Sequence, residues 1–138
     1  MVERMRAGEL ARRSGTTIRA LRYYETVGLV VPRRLANGYR EYDERDVKVL
    51  VEIRSLQAEG LSLEETRPFV ECLRAGNEAS DSCADSFDMY SRKLAEVDAQ
   101  IARLQAIRDA LLIRQAAAAG RDVIGCRAPL GINREGEA

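Results

Sequence analysis

The chain contains no histidine. That removes the commonest metal ligand and the commonest general acid–base together, and a tetrahedral zinc site, which wants four ligands, cannot be filled from cysteine alone. Only three cysteines occur, Cys72, Cys83 and Cys126. No glycine-rich loop suited to cradling phosphate and no carboxylate pair stands out from the ordinary surface acids, so catalysis is not expected. No run of about 18 apolar residues exists to cross a bilayer, and the opening MVERMRAGEL is too charged to hold the apolar core of a signal peptide. The expected compartment is the cytoplasm, without a membrane partner. There the cysteines are expected to be reduced, which leaves metal binding, redox sensing or plain packing as their roles, and an odd number points the same way.

What is present is a chain of 138 residues, 46% hydrophobic, enough for one ordinary domain or for a small domain plus a long interaction helix. Its net charge of zero conceals a polarity: residues 1–40 carry nine arginines against three acids, a balance of +6, so the remainder carries −6. A basic head joined to an acidic body suits a polyanion-binding module.

Leu10 and Ala11 lie on a short helical pattern that Ser14-Gly15 stops. Thr16-Thr17 offers a fresh N-cap, and Ile18 and Leu21 follow at helical spacing before Gly28 closes a second helix. Two short helices around a glycine-containing turn form a helix-turn-helix candidate. Leu29–Val31 then favour extended chain, Asn37-Gly38 signals a hairpin, and Tyr39 and Tyr42 flank a return strand carrying Arg40. The pattern predicts a two-stranded wing with Arg33 and Arg34 on one arm and Arg40 on the other. From an Asp43 N-cap, Val47, Leu50, Val51, Ile53 and Leu56 mark a buried stripe, and the capping box Ser62 to Glu65 opens another helix with Leu63, Thr66, Phe69, Val70 and Leu73 inward. Pro68 inside that pattern predicts either a kink or a shorter first turn.

The expected organisation is a winged helix-turn-helix domain over 1–75, a polar linker over 76–83, one long helix over 84–119 and a partly disordered tail over 120–138. In the long helix Phe87, Tyr90, Leu94, Val97, Ile101, Leu104 and Leu111 recur at alternating steps of three and four, broken only at Arg108. Ile107 and Leu112 widen the seam near the break. Such a helix is roughly 54 Å long. Its seam either folds back on the helices of 43–73 or pairs with a second copy, and the length favours a homodimeric coiled coil. The fold class is mainly α. On the second helix, Thr17, Arg19, Arg22 and one of Tyr23 and Tyr24 are exposed candidates for contact with bases or phosphates.

The run GELARRSG, TIRALRYYETVGLV, PRR, NGYREYDERDV and GLSLEE resembles the DNA-binding domain of the MerR family of bacterial transcription regulators, over residues 5 to about 73. The resemblance implies a dimer whose two long antiparallel helices hold two winged heads on pseudo-palindromic promoter DNA. Such regulators bend and untwist an overlong spacer so that RNA polymerase reaches both promoter elements, a distortion costing on the order of several kcal/mol. It implies DNA contact by Arg19, Arg22 and Tyr24 in the recognition helix and by Tyr39 and Arg40 in the wing, with Arg33 and Arg34 as phosphate contacts; Tyr23 is then assigned to the core. An architectural DNA-binding coiled coil without effector response is the competing reading.

For the effector, the resemblance implies that Cys83 and Cys126 match the first and last ligands of the mercury-sensing members, while the middle ligand is missing from QAAAAG. Two thiolates suffice for a soft metal ion held linearly. Cys72 either supplements that set or packs beside Leu73. Oxidation or alkylation of Cys83 or Cys126 is the metal-free alternative. The iron–sulfur branch needs four closely spaced cysteines and is excluded, and no C-terminal domain is large enough to enclose a drug-sized ligand.

Overall fold

In the computed structural model, which describes residues 4–121, the chain runs β1 (Arg4–Met5), α1 (Ala7–Ser14), α2 (Ile18–Thr26), β2 (Arg33–Arg34), β3 (Arg40–Asp43), α3 (Glu44–Ala58), a 3-10 turn (Glu64–Thr66), α4 (Arg67–Arg74) and α5 (Ala84–Ala119). It falls into two compact units, one ending at Ala95 and the other beginning at Glu96, so the first turns of α5 belong to the N-terminal unit.

Local chemistry explains the punctuation. Gly15 ends α1 at φ 74°, a left-handed conformation that a side chain would strain. Thr17 then starts α2 by accepting the Ala20 N–H at 3.0 Å. At the hairpin tip Gly38 has φ 88°, and the Asn37 side chain accepts the Tyr39 N–H at 3.1 Å. Asp43 opens α3 with a reciprocal capping box: its carboxylate accepts from Arg45 N–H, and its own N–H donates to Asp46. The predicted box at Ser62 and Glu65 is also present, at 2.8 and 3.2 Å. It opens the 3-10 turn, after which Pro68 falls in the first turn of α4, where its missing N–H costs nothing. Pro68 therefore shortens the helix and does not kink it.

The wing differs from expectation in one respect. β1 adds a third strand, in the order β1-β3-β2, with Met5 opposite Tyr42 and Arg34 opposite Arg40. Pairing on both sides makes β3 the central strand and carries the fully buried Tyr42 into the core.

That core joins Leu10 and Leu21 of the two short helices to Tyr42, Leu50, Ile53 and Val70. On α3 the buried arc is Val49, Leu50, Ile53 and Leu56, whereas Val51 is 48% exposed, because it lies about 200° around the helix from Val49. A second cluster packs Leu56, Leu61 and Phe69 against Met89, and the Tyr90 ring sits 5.0 Å from that of Phe69. Met89 and Ser86, not Phe87, are thus the inward residues at the start of α5, and Phe87 is exposed. In the second unit every described residue is exposed, including Val97, Ile101, Leu104 and Leu111.

Phe69→Ala is expected to destabilise the N-terminal unit by about 3–5 kcal/mol through lost burial and a residual cavity. Val51→Ala, on the solvent side of α3, should stay within about 0.5 kcal/mol. Urea unfolding followed by circular dichroism measures both, and equal costs would contradict the assigned face.

Candidate nucleic-acid interface

α2 presents Thr17, Arg19, Arg22 and Tyr23 to solvent, with Tyr23 57% exposed. Tyr24 is instead in the core, 9% exposed, beside Leu21. The expected assignment of the two tyrosines is therefore reversed. Leu21 fixes the inward face, and a residue three positions on shares that face while one two positions on does not. The exposed aromatic on this helix is Tyr23. Thr17 uses one hydroxyl lone pair as the N-cap and keeps its O–H to donate.

The wing arginines are not equivalent. Arg33 Nη2 donates to Asp43 Oδ2 at 2.6 Å. Burial works to raise the Asp43 carboxyl, but the Arg33 hydrogen bond and charge, with backbone N–H donors, hold it below the usual range. Arg34 Nη1 donates to the Gly38 carbonyl at 3.1 Å across the hairpin and is otherwise exposed. Tyr39 is exposed, and Arg6 lies over its ring with the guanidinium carbon 4.2 Å from the centroid. Arg6, immediately before α1, was not singled out from the sequence; its signal lay only in the basic balance of the head. Between α1, α2 and the hairpin these groups line a cleft of about 240 Å³ that contains Arg6, Arg22, Tyr39 and Arg40.

Arg40 also has a structural role. Its Nε lies 3.1 Å from Glu25 Oε1, within ion-pair range but off the line of a hydrogen bond. The other oxygen of Glu25 accepts from the Tyr42 hydroxyl. Burial first, and then the Glu25 bond, push the Tyr42 hydroxyl well above the usual tyrosine range. Glu25 thus ties α2 to β3. A second tie comes from α4: Arg67 Nη2 donates to the Val27 carbonyl at 2.7 Å, and Arg74 donates to the carbonyls of Gly28 and Leu29. Those carbonyls follow the end of α2, where cations are favoured. Neither arginine was legible as a positioning group in the sequence.

The cysteines depart from expectation. Cys72 and Cys83 form a disulfide, their Cα atoms 5.9 Å apart, where reduced thiols were expected. The connector between α4 and α5 is not slack: Ser80 donates to Glu52 at 2.5 Å, Lys48 to the Glu78 carbonyl at 2.6 Å, and Asn77 to the Cys72 carbonyl at 2.9 Å. That pinned turn returns Cys83 to Cys72. Cys72 is also buried beside Leu73, as one of its two readings had it. Among the described residues no group of three or more His, Cys, Asp or Glu is placed to hold a metal ion. Cys126 lies outside the described residues, as does the expected tail beyond Arg121.

A helix-turn-helix with a wing, both presenting arginine and tyrosine on an otherwise neutral chain, defines a DNA-binding regulator fold. The family model for MerR HTH regulatory proteins matches residues 5–71, and that for the MerR DNA-binding region matches 47–112. The chain is 37% identical over 107 residues to the HTH-type transcriptional regulator HmrR of Rhizobium leguminosarum bv. viciae, covering 78% of this chain and 81% of that one. It is 33% identical to CueR of Salmonella typhi over 88% and 87% of the two chains. Among solved structures, PbrR691 from Ralstonia metallidurans CH34, in complex with lead(II), aligns with a TM-score of 0.64 at 25% identity, covering 90% of this chain and 93% of that one. HiNmlR, a MerR family regulator lacking the sensor domain and bound to promoter DNA, aligns at 0.52 and 25% identity over 83% and 85%. The chain belongs to the MerR family of helix-turn-helix transcription regulators, a family of regulators and not of enzymes.

The Glu25 link gives a pH prediction. Stability drawn from the protonated Tyr42 phenol is fully present below pH of about 10 and declines as pH rises above it, because the unfolded tyrosine ionises first. Tyr42→Phe should flatten the alkaline limb of a stability–pH profile; an unaltered limb would place the alkaline loss elsewhere.

Proposed function

We propose that the chain acts in the cytoplasm as a homodimer on double-stranded promoter DNA, controlling RNA polymerase by distorting the promoter spacer in response to an effector. The observation that carries the DNA reading is the continuity of polar, cationic and aromatic groups from α2 to the wing: exposed Thr17, Arg19, Arg22 and Tyr23 at the helix, exposed Arg34 and Tyr39 with half-buried Arg40 on the hairpin, and Arg6 stacked on Tyr39. Arg33 contributes through Asp43 and is assigned to positioning. Relatives of nearly the same length support it, and one structural neighbour is bound to promoter DNA. Tyr24 is withdrawn as a contact.

Dimerisation follows from the exposed apolar residues of α5. Leu94, Ile101, Leu104 and Leu111 stand between 48% and 62% exposed on one helix. A stripe of that kind on a helix of 36 residues is covered when a second copy lies antiparallel to it. Holding two heads at a fixed separation lets phosphate contacts at both ends of a site supply the energy of DNA distortion.

The effector belongs to thiol chemistry. A soft metal ion, as in the lead(II) complex of PbrR691, would require Cys83 in its reduced form, with Cys126 as the other ligand. Among the described residues no group of three or more donors assembles such a site.

On promoter DNA recovered by selection with the protein, Arg22→Ala should weaken binding by about 1–3 kcal/mol and, where a phosphate contact is lost, flatten the dependence of log K on log salt by about one unit. Tyr23→Ala should weaken binding with little loss of stability, while Tyr24→Ala should cost about 3 kcal/mol or more in stability. Fluorescence anisotropy over a salt series reads the first two, and unchanged affinity in both variants would remove α2 from the interface.

A further inference from the structure

Cys72 and Cys83 are joined although the proposed site of action, on DNA in a reducing compartment, does not maintain structural disulfides; disulfides found there are usually transient and functional. The inference therefore rests on the DNA-binding reading. The surroundings accommodate both states. Released from the bridge, the Cys72 thiol has the Ala79 carbonyl 3.5 Å away to donate to and the Ser82 hydroxyl at 3.4 Å. Asn77 Nδ2 lies 3.4 Å from the Cys83 sulfur and can donate to it in either state. The two sulfurs also differ in access: Cys72 is 2% exposed, whereas Cys83 is only half-buried. Cys83 sits immediately before α5, with its carbonyl accepting the N–H groups of Ser86 and Phe87 at 3.1 and 3.2 Å. A thiolate there meets the positive end of a 36-residue helix, while its reaction partner waits in the interior.

We propose that Cys83 and Cys72 form an intrasubunit peroxide-reactive dithiol, with Cys83 as the attacking sulfur and Cys72 as the resolving one, that locks the α4–α5 connector when oxidised. The Cys83 thiolate attacks a hydroperoxide oxygen, forming an S–O bond as the O–O bond breaks. The leaving oxygen departs as an alcohol, or as water from hydrogen peroxide, after taking a proton. Cys72 then attacks the Cys83 sulfenic acid, forming the S–S bond as the S–O bond breaks, and hydroxide leaves with the Cys72 proton as water. Two thiols thereby lose two electrons and the peroxide is reduced. Closing the bridge links the last turn of α4 covalently to the residue preceding α5, around the turn held by Ser80, Glu78 and Asn77. The hydroperoxide signal acts without a third cysteine, so Cys126 is free of this step.

Trypsin separates the three cysteines onto peptides 55–74, 75–92 and 122–127, because Pro68 protects the bond after Arg67. The full-length reduced chain is treated with one equivalent of hydrogen peroxide, blocked with N-ethylmaleimide, and mapped by mass spectrometry without reductant. Free thiols should fall from three to one per chain, with 55–74 linked to 75–92 and 122–127 carrying the maleimide. Cys126→Ser should give the same link at the same yield, and amides of 75–83 should exchange more slowly in the oxidised wild type than in the reduced. A link from 75–92 to 122–127, a link between two chains, or no link at all would overturn the proposal, and the wild-type map decides it even if Cys72→Ser fails to fold. Promoter binding on the same samples keeps the two readings apart: a chain that binds DNA but forms no 72–83 link loses only the redox site, and one that forms the link but ignores DNA loses the regulator reading.

Discussion

Glu25 is the group through which the helix-turn-helix and the wing are assembled. Its carboxylate side chain is only 9% exposed, an expensive position for a charge unless it is paired and hydrogen-bonded. Both conditions are met from one strand: Arg40 supplies the counter-charge and Tyr42 the hydroxyl donor. Because Glu25 is on α2 and its partners are on β3, satisfying the carboxylate fixes α2 against the wing. Two short helices and a hairpin have little stability of their own. A buried ion pair is a weak source of stability but a good source of register, and register is what a surface that must match DNA needs.

The same economy appears at the other end of α2. Arg67 and Arg74 donate to backbone carbonyls of residues 27–29, so α4 holds the chain where it leaves the recognition helix. The head carries arginines with two kinds of work. Arg33, Arg67 and Arg74 spend donors on carboxylate or carbonyl oxygen of the chain itself, while Arg19, Arg22 and Arg34 are exposed. The chain is neutral and still carries a basic head because its acids lie mostly outside residues 1–40, which alone have a balance of +6.

Turn chemistry is legible in the sequence itself. Gly15, Thr17, Asn37-Gly38, Asp43 and the box at Ser62 each impose a local geometry on their own, so the boundaries of the elements beside them follow from spacing. Features that depend on distant partners are not legible in this way. A two-residue strand such as Arg4–Met5 has no periodicity to read and exists because β3 offers an open edge. The bonds from Arg74 to Gly28 and Leu29 span 46 and 45 residues, and the meeting of Cys72 with Cys83 follows from a polar turn whose anchors are on α3. The tyrosine pair is instructive: once Leu21 is placed inward, a step of three already requires Tyr24 to join it, whereas the family resemblance points Tyr24 at DNA.

We propose that α2 and the wing act as one DNA-binding surface because Glu25 joins them. Hydrogen–deuterium exchange of the full chain, titrated with selected promoter DNA, tests this most directly. Amides of 17–26 and of 33–43 should gain protection together, at the same DNA concentration, and Glu25→Ala should uncouple the two. Protection confined to one segment in the wild type, or joint protection that survives in Glu25→Ala, would contradict it.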